Sequence, residues 1–272
     1  MIPPKLGKLA MLTTFNLYNN KLHGAIPDEI GNMASLEDLV GVKNLKTVRL
    51  DLNAISGNIP VEIGECLNLV VFGLAQNKLG GLLPKEIGKL SLMTDLILWG
   101  NKLSGVIPPE IRNCTNLTII VLYDNSLIGP IPATIGNIKS LQRLYLYRNS
   151  LNGTIPWEIG NLSLAEEIDF LENILIGGIP KELGNIPGLH LLYLFQNNLG
   201  GSLPKEIGKL SLVIELILWK NKLSSVIPPE IRNYTNLTMI ALNDNNLVGP
   251  IPATIGNIKS LRKIYLHIKK YN

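Results

Sequence analysis

An asparagine recurs every 24 residues through most of the chain, and this period constrains the fold more than any other feature of the sequence. It belongs to the frame L-x-x-L-x-L-x-x-N-x-L-x-G-x-I-P-x-x-I-G and stands at Asn53, Asn77, Asn101, Asn125, Asn149, Asn173, Asn197, Asn221 and Asn245. A unit of this length cannot bury its own apolar face, so it must stack on its neighbours. The period therefore predicts one solenoid domain over residues 1–272, with about eleven or twelve coils.

The unit around Asn101 shows how one coil should be built. Its L-x-L segment alternates as a short strand does, so we expect Leu96 and Leu98 to face inward. Ile97 and Trp99 should then face outward. The asparagine follows as a turn residue whose amide can bond backbone groups that the turn leaves unpaired. Repeated in each coil, these amides should form a buried ladder.

The second half of the same unit predicts a bend and a short helical turn. Gly105 allows a tight bend without the steric penalty of a Cβ. Pro108 cannot donate a hydrogen bond to a central ladder, so it should lie outside the main strand. The stretch 109–111 is too short for more than one turn of helix, which we expect to be 3₁₀.

Composition excludes several classes of function. The net charge of +4 gives no reason to expect binding to nucleic acid or to an anionic membrane. No apolar run approaches the roughly 18 residues of a membrane span, and the first residues lack the charged and apolar segments of a secretory signal. Cys66 and Cys114 occupy equivalent positions two coils apart, about 10 Å from each other at the spacing of stacked strands. That distance is too long for a disulfide, so both should be buried core residues.

Two irregularities interrupt the simple period. Between Asn20 and Asn53 a strand begins near residue 36 and another near residue 44 without an intervening G-x-I-P segment, so we expect a shortened, irregular coil near 36–45. Residues 80–147 are also repeated, almost unchanged, as residues 200–267. Copying of five units as a block is readily tolerated where each unit contacts only its neighbours.

The frame, seen for example in LQRLYLYRNSLNGTIP at residues 141–156, resembles the plant-type leucine-rich repeat, and closely resembles the extracellular repeats of plant leucine-rich-repeat receptor-like kinases. This resemblance implies an α/β solenoid coiled as a right-handed superhelix, with a concave parallel β-sheet and convex loops and 3₁₀ turns. It also implies a place outside the cell, on the outer side of the plasma membrane, and binding of a peptide, a steroid or a co-receptor.

The chain departs from a complete receptor of that family. It has no paired-cysteine caps, no membrane helix and no kinase motifs, so we expect a non-catalytic piece of the ectodomain, with a membrane link only through a transmembrane segment of the parent protein. The Arg-x-Arg pair that holds a peptide carboxylate in several members is missing as well. Arg143 and Tyr145 come closest to its spacing.

Aromatic residues recur at strand positions two and four residues before the asparagine, where side chains should point to solvent from the inner sheet. We call them the aromatic strip: Trp99, Tyr123, Tyr145, Tyr147, Tyr193, Phe195 and Trp219. The five steps from Trp99 to Trp219 would span about 24 Å, enough for an extended peptide of about seven residues. Rigid exposed aromatics suit partner anchoring, whereas the alternative is that they simply favour strands and pack across coils.

Charged residues concentrate in one coil and its neighbour. Glu166, Glu167, Asp169 and Glu172 lie on or beside one strand, and Arg143 and Arg148 lie on the adjacent one. One interpretation is a site for a basic group of the ligand, centred on Asp169, edged by Arg148 and bordered by Tyr147 and Tyr193. The other interpretation is simple pairing between charges of adjacent coils.

Six N-x-S/T sequons favour a secreted glycoprotein because all of them fall outside the predicted strands. Their acceptors are Asn113, Asn116, Asn152, Asn161, Asn233 and Asn236. The histidines at 23, 190 and 267 are far apart in repeat number, which argues against a metal cluster. Carboxylates here lie on an open strip and not in a closed cleft, so we expect neither catalysis nor a cofactor.

These patterns favour a ligand-recognition ectodomain piece that docks an extended peptide, or a partner protein such as a co-receptor, along the aromatic strip. Two alternatives remain open from the sequence. One is a secreted leucine-rich-repeat inhibitor of a microbial wall-degrading enzyme. The other is a truncated product without activity, whose uncapped ends and shortened coil would leave it poorly soluble.

Overall fold

The computed structural model describes residues 1–34 and 44–266. These residues fall into two compact units, Met1–Ile128 and Gly129–Asn272, hereafter unit one and unit two. Most of the irregular coil expected near 36–45, and His267, lie outside the described residues. In both units every coil contributes a short strand, a turn at the asparagine and, in most coils, a single helical turn.

The strands are short and follow one another at the period of the repeat. In chain order those that begin in unit one are β1 (Thr14–Asn16), β2 (His23–Gly24), β3 (Thr47–Arg49), β4 (Ala54–Asn58), β5 (Val71–Gly73), β6 (Lys78–Gly80), β7 (Asp95–Ile97), β8 (Ser104–Gly105), β9 (Ile119–Val121) and β10 (Ser126–Pro130). Those of unit two are β11 (Arg143–Tyr145), β12 (Ser150–Asn152), β13 (Glu167–Asp169), β14 (Leu191–Tyr193), β15 (Gly200–Ser202), β16 (Glu215–Ile217), β17 (Lys222–Ser225), β18 (Met239–Ala241), β19 (Asn246–Leu247) and β20 (Lys263–Tyr265).

Each unit has one main parallel sheet built from the L-x-L strands. Its order is β1-β3-β5-β7-β9 in unit one and β11-β13-β14-β16-β18-β20 in unit two. From β3 onward, neighbouring strands within each unit pair residues 24 positions apart, as Asp95 with Ile119 and Asp169 with Tyr193. The strands β1 and β3 pair residues 33 positions apart, as Thr14 with Thr47. Sequence period and sheet register are therefore the same, and the predicted parallel stacking is confirmed.

Every helical segment in the described part of the chain is a 3₁₀ turn, most of them following a proline, as the I-P-x-x-I-G segment predicts. In unit one they span Pro4–Lys8, Asp28–Ala34, Val61–Glu65, Lys85–Lys89 and Pro109–Asn113. In unit two they span Ala133–Asn137, Trp157–Asn161, Lys181–Asn185, Lys205–Lys209, Pro229–Asn233 and Ala253–Asn257. The predicted solenoid of parallel strands and 3₁₀ turns is confirmed.

A second set of short parallel strands follows the asparagine turn, and the sequence reading did not anticipate it. In the part of the chain that the structure describes, unit one has two such groups of paired strands: β2, β4 and β6 form one, and β8 with β10 forms the other. Unit two has one such group there, formed by β15, β17 and β19. Several of these strands include the bend glycine. Gly105, for instance, has φ +73° and pairs with Leu127 while turning the chain.

The core lies between the main sheet and the 3₁₀ turns and is filled by the apolar residues of the frame. Leu96, Leu98 and Leu103 are fully buried, as is Ile111. Each such side chain contributes about 2 kcal/mol through removal of apolar surface from water. Cys66 and Cys114 are buried free thiols, as predicted, and burial raises the pKa of Cys114 to about 11.

The asparagine ladder joins successive coils through backbone groups. Asn101 Nδ2 donates to the carbonyl of Leu98 in its own coil at 3.0 Å and to that of Leu74 in the preceding coil at 2.9 Å. Its Oδ1 accepts from the backbone N–H of Leu79 at 3.1 Å. One amide thus satisfies three backbone groups in two coils, and this confirms the predicted ladder.

Candidate functional site

The aromatic strip lies on the solvent-facing side of the main sheets. Alternation along the strands places it there, because the leucines between these positions point into the core. In unit one, Trp99 and Tyr123 stack with ring centroids 5.0 Å apart and planes 15° from parallel. Both rings are half-buried.

In unit two the structure brings three further members of the strip together. Phe195 and Trp219 stack at 5.1 Å with an interplanar angle of 19°. Tyr193 meets Phe195 edge to face at 5.9 Å. All three rings remain partly exposed. Packing between coils is therefore real, and it fixes the rings in place while leaving part of each available to solvent.

Ion pairs connect the two charged coils of unit two. Arg148 Nε lies 2.9 Å from Glu172 Oε2, and Arg143 Nε lies 3.4 Å from Glu167 Oε1. His190 Nε2 is 3.6 Å from the same Glu167 oxygen. The pairing of charges between adjacent coils, one of the two interpretations of this cluster, is thus present for Glu167 and Glu172.

Tyrosine hydroxyls extend this network along the sheet. Tyr145 donates to Glu167, and Tyr193 donates to Glu215 at 3.1 Å. Burial and the neighbouring glutamate raise the pKa of Tyr145, and the same two causes raise that of Tyr193 to about 12. Both hydroxyls therefore keep their protons at neutral pH and orient the carboxylates. Sequence reasoning missed Glu215 and His190, whose role depends on which side chains meet across strands.

Among the acids of this charged cluster, Asp169 has the most strongly shifted pKa. It is only 7% exposed, and its Oδ1 accepts from the backbone N–H of Leu171 at 3.1 Å. Burial raises its pKa to about 7; the bond from Leu171 opposes this shift and the charge of Glu172 adds to it. In the sheet its direct neighbours are Tyr145 and Tyr193.

An open cup of about 320 Å³ lies on the main sheet of unit two and was not predicted. Trp219 and Tyr265 are on its sides, and Ala241, Asn243 and Asp244 complete its polar and small-residue lining. The remaining lining residues are Ile217 and Met239. The sequence signal that could have located it is a difference between the two copies of the duplicated block, in which Asn243 corresponds to Tyr123.

The six sequon asparagines are all exposed and lie away from the strands of the main sheets. Asn113, Asn161 and Asn233 end 3₁₀ turns, and Asn152 ends β12. Asn116 precedes β9 and donates through Nδ2 to the carbonyl of Ser91 at 3.0 Å. Glycans at these positions would leave the solvent-facing side of the main sheets uncovered.

Residues 1–34 and 44–266 contain no group of three or more His, Cys, Asp or Glu side chains placed to bind a metal ion. Within the same ranges, no helix is long and apolar enough to cross a bilayer.

Comparison with known proteins identifies the repeats. The family described as Leucine Rich Repeat matches residues 11–33, 93–114, 140–162 and 188–210. No curated protein matches the chain.

Solved structures give broader matches. The plant peptide hormone receptor RGFR1 in complex with RGF2 is 39% identical with a TM-score of 0.92, over 99% of this chain and 42% of that one. The ectodomain of GASSHO1/SCHENGEN3 from Arabidopsis thaliana, in complex with CASPARIAN STRIP INTEGRITY FACTOR 2, is 33% identical with a TM-score of 0.86, over 98% and 34%. The Arabidopsis receptor kinase HAESA ectodomain, in complex with an IDA peptide hormone lengthened at its N-terminus, is 29% identical with a TM-score of 0.84, over 98% and 44%. The chain spans less than half of each.

Proposed function

This chain is built from the leucine-rich repeats that form the ectodomains of plant receptor kinases, and we propose that it recognises an extended peptide on the solvent-facing side of its main sheets. A partner protein such as a co-receptor is the second occupant that this surface suits. The proposal rests on one observation in unit two: the partly exposed rings of Tyr193, Phe195 and Trp219 pack in a row beside the buried carboxyl group of Asp169. The similar receptor structures, among them HAESA with a peptide hormone and the co-receptor SERK1, support it.

The first step of recognition is anchoring on rings that are already fixed. Phe195 is held between Tyr193 and Trp219 by ring contacts of 5.9 and 5.1 Å. Because the asparagine ladder and these contacts immobilise the rings before binding, little side-chain entropy is lost when a ligand covers them. Such preorganised aromatic anchors contribute a large part of the affinity in protein interfaces.

The second step is selection by charge. Glu167 and Glu215 are held in place by tyrosine donors, and Asp169 lies between Tyr145 and Tyr193. This arrangement favours a ligand with a basic group over the coils of β13 and β14. A basic group near Asp169 would stabilise its carboxylate and lower its raised pKa, so binding and proton release are coupled.

The third element is an accessible outer surface. The exposed sequons lie off the main sheets, so glycosylation is compatible with ligand access. We place the chain outside the cell on this basis and on the ectodomain character of its relatives. Their fold is that of non-catalytic receptor domains, and the function assigned here is binding without chemical conversion.

A binding screen of the chain against synthetic secreted plant peptides, measured by isothermal titration calorimetry, tests this proposal. For any peptide that binds, Tyr147→Ala and Phe195→Ala should each weaken affinity by more than about 1 kcal/mol, or about fivefold. Trp157→Ala is the matched control, because Trp157 is an aromatic residue 57% exposed on a 3₁₀ turn. Unchanged affinity in Tyr147→Ala and Phe195→Ala, or an equal loss in Trp157→Ala, would refute the assignment.

A further inference from the structure

The open cup on the main sheet of unit two originates in the internal duplication. Residues 80–147 and 200–267 correspond at an offset of 120, which equates Trp99 with Trp219. The copies differ at three alternate positions in and just after the next strand, where Met239 stands in place of Ile119 and the other two exchanges introduce smaller side chains. Tyr123 of the first copy is replaced by Asn243, and Val121 is replaced by Ala241.

In the first copy the tyrosine ring covers one face of the tryptophan. Tyr123 stacks on Trp99 with a centroid distance of 5.0 Å. In the second copy the equivalent place holds the small amide of Asn243, and the floor below it is Ala241, which is 5% exposed. Among the described residues no ring occupies this place. The cup therefore lies where the first copy has the aromatic side chain of Tyr123.

The walls of the cup suit a planar guest. Trp219 already stacks on Phe195 at 5.1 Å through the side facing β14, so its side facing β18 is turned toward the cup. Tyr265 lies on the strand two steps beyond, level with Ala241 and Ile217, so it is about 10 Å from Trp219 across the strands and about 7 Å along them. Two successive ring contacts of about 4.5–7 Å fill a separation of this size, so one ring fits between them.

The rim supplies polar groups for the outer end of the guest. Asn243 Nδ2 donates to Asp244 Oδ2 at 2.8 Å, and both residues line the cup. The amide and carboxylate oxygens can accept from a phenol hydroxyl or an indole N–H, whereas the floor of Ala241 and Ile217 is apolar. An aromatic ring with a polar tip matches this combination better than a branched aliphatic chain does.

We propose that the cup binds one aromatic side chain of an extended peptide, with its ring stacked on Trp219 in the place that Tyr123 takes on Trp99. The inference rests on the proposed function only in assigning the ring to a peptide ligand. The shape of the cup, its apolar floor and its polar rim assign an aromatic occupant without reference to the rest of the strip.

The test uses the three tryptophan indole N–H signals in ¹⁵N nuclear magnetic resonance spectra, assigned by single Trp→Phe variants. N-acetyl-tyrosinamide at millimolar concentration should shift the Trp219 signal and leave that of exposed Trp157 unchanged. N-acetyl-leucinamide should shift Trp219 much less. Asn243→Tyr restores the residue of the first copy, fills the cup, and should abolish the response of Trp219 while the protein stays folded.

The reverse exchange provides the matched variant. Tyr123→Asn combined with Val121→Ala should open an equivalent place beside Trp99 and make its indole signal respond to N-acetyl-tyrosinamide. A Trp219 signal that does not move, that moves equally with N-acetyl-leucinamide, or that still moves in Asn243→Tyr would overturn the inference.

The binding and resonance experiments distinguish an error in the cup proposal from an error in the proposed function. If no peptide binds the chain but Trp219 responds to N-acetyl-tyrosinamide as described, the cup stands and the peptide assignment fails. If a peptide binds in a manner that depends on Phe195 but not on Asn243→Tyr, the proposed function stands and the cup is not part of it.

Discussion

The asparagine ladder predicts that loss of one ladder amide, such as that of Asn197, lowers stability strongly and locally. This residue is 8% exposed, and its Nδ2 donates to the carbonyls of Phe170 at 2.9 Å and Leu194 at 3.2 Å. Its Oδ1 accepts from the backbone N–H of Leu175 at 3.1 Å. Replacement by alanine leaves these groups without the amide in a site that water does not reach.

Each buried polar group left unsatisfied costs about 1–3 kcal/mol. The N–H of Leu175 is left unsatisfied in this way, whereas the carbonyls of Phe170 and Leu194 keep bonds from Asn173 Nδ2 at 3.2 Å and Asn221 Nδ2 at 3.0 Å. Each carbonyl therefore loses one of two hydrogen bonds, at a net cost of about 0.5–1 kcal/mol. Asn197→Ala should therefore lower the free energy of unfolding by about 2–5 kcal/mol. The neighbouring Asn198 is partly exposed and outside the ladder, and Asn198→Ala should change stability by less than about 0.5 kcal/mol.

Urea denaturation followed by circular dichroism measures both variants. Because a repeat protein can lose part of its stack before the rest, amide hydrogen exchange of the coils around residue 197 should accompany it. In Asn197→Ala the exchange of the Leu175 amide should accelerate most. An effect below about 1 kcal/mol, or equal effects in the two variants, would refute the view that the amide holds successive coils together.

Two further predictions concern the backbone and pH. Ser225 replaces the bend glycine and has φ +72°, so Ser225→Gly should stabilise the chain by about 1 kcal/mol in thermal denaturation, whereas Gly105→Ser should destabilise it. Burial raises the pKa of Asp169 above its unfolded value, so the folded state holds the proton more tightly. Stability should fall as pH rises from about 4 to about 7, by up to roughly 4 kcal/mol, and this slope should disappear in Asp169→Asn. The same dependence of stability on pH in the original chain and in Asp169→Asn would contradict this prediction.

The period predicts most of the fold, because a residue that recurs every 24 positions must meet its own copies in a parallel stack. That is why the inward leucines, the asparagine turn and the 3₁₀ segments could be located from one unit. The left-handed turn residue before each asparagine was not predictable, since unlike residues such as Leu52, Gln76 and Lys220 all adopt φ near +50–57° there. The stack imposes that conformation against their intrinsic preference.

The candidate site was predictable only in outline. Position in the strand determines that Phe195 and Trp219 face solvent. It does not determine that their rings stack, that Tyr193 binds Glu215, or that a cup opens at Asn243. These features depend on the size and chemistry of side chains on adjacent coils, and a comparison of the two duplicated blocks residue by residue is the sequence signal that would have revealed the cup.

Hydroxyl-radical footprinting of the chain with a bound peptide tests the central claim most directly, since it reports how accessible each aromatic ring remains. The account predicts that Phe195 and Trp219 are protected when peptide is added, while Trp157 is labelled as strongly as before. Protection of Trp157 with undiminished labelling of Phe195 and Trp219 would place the ligand on the 3₁₀ turns and contradict recognition by the main sheet.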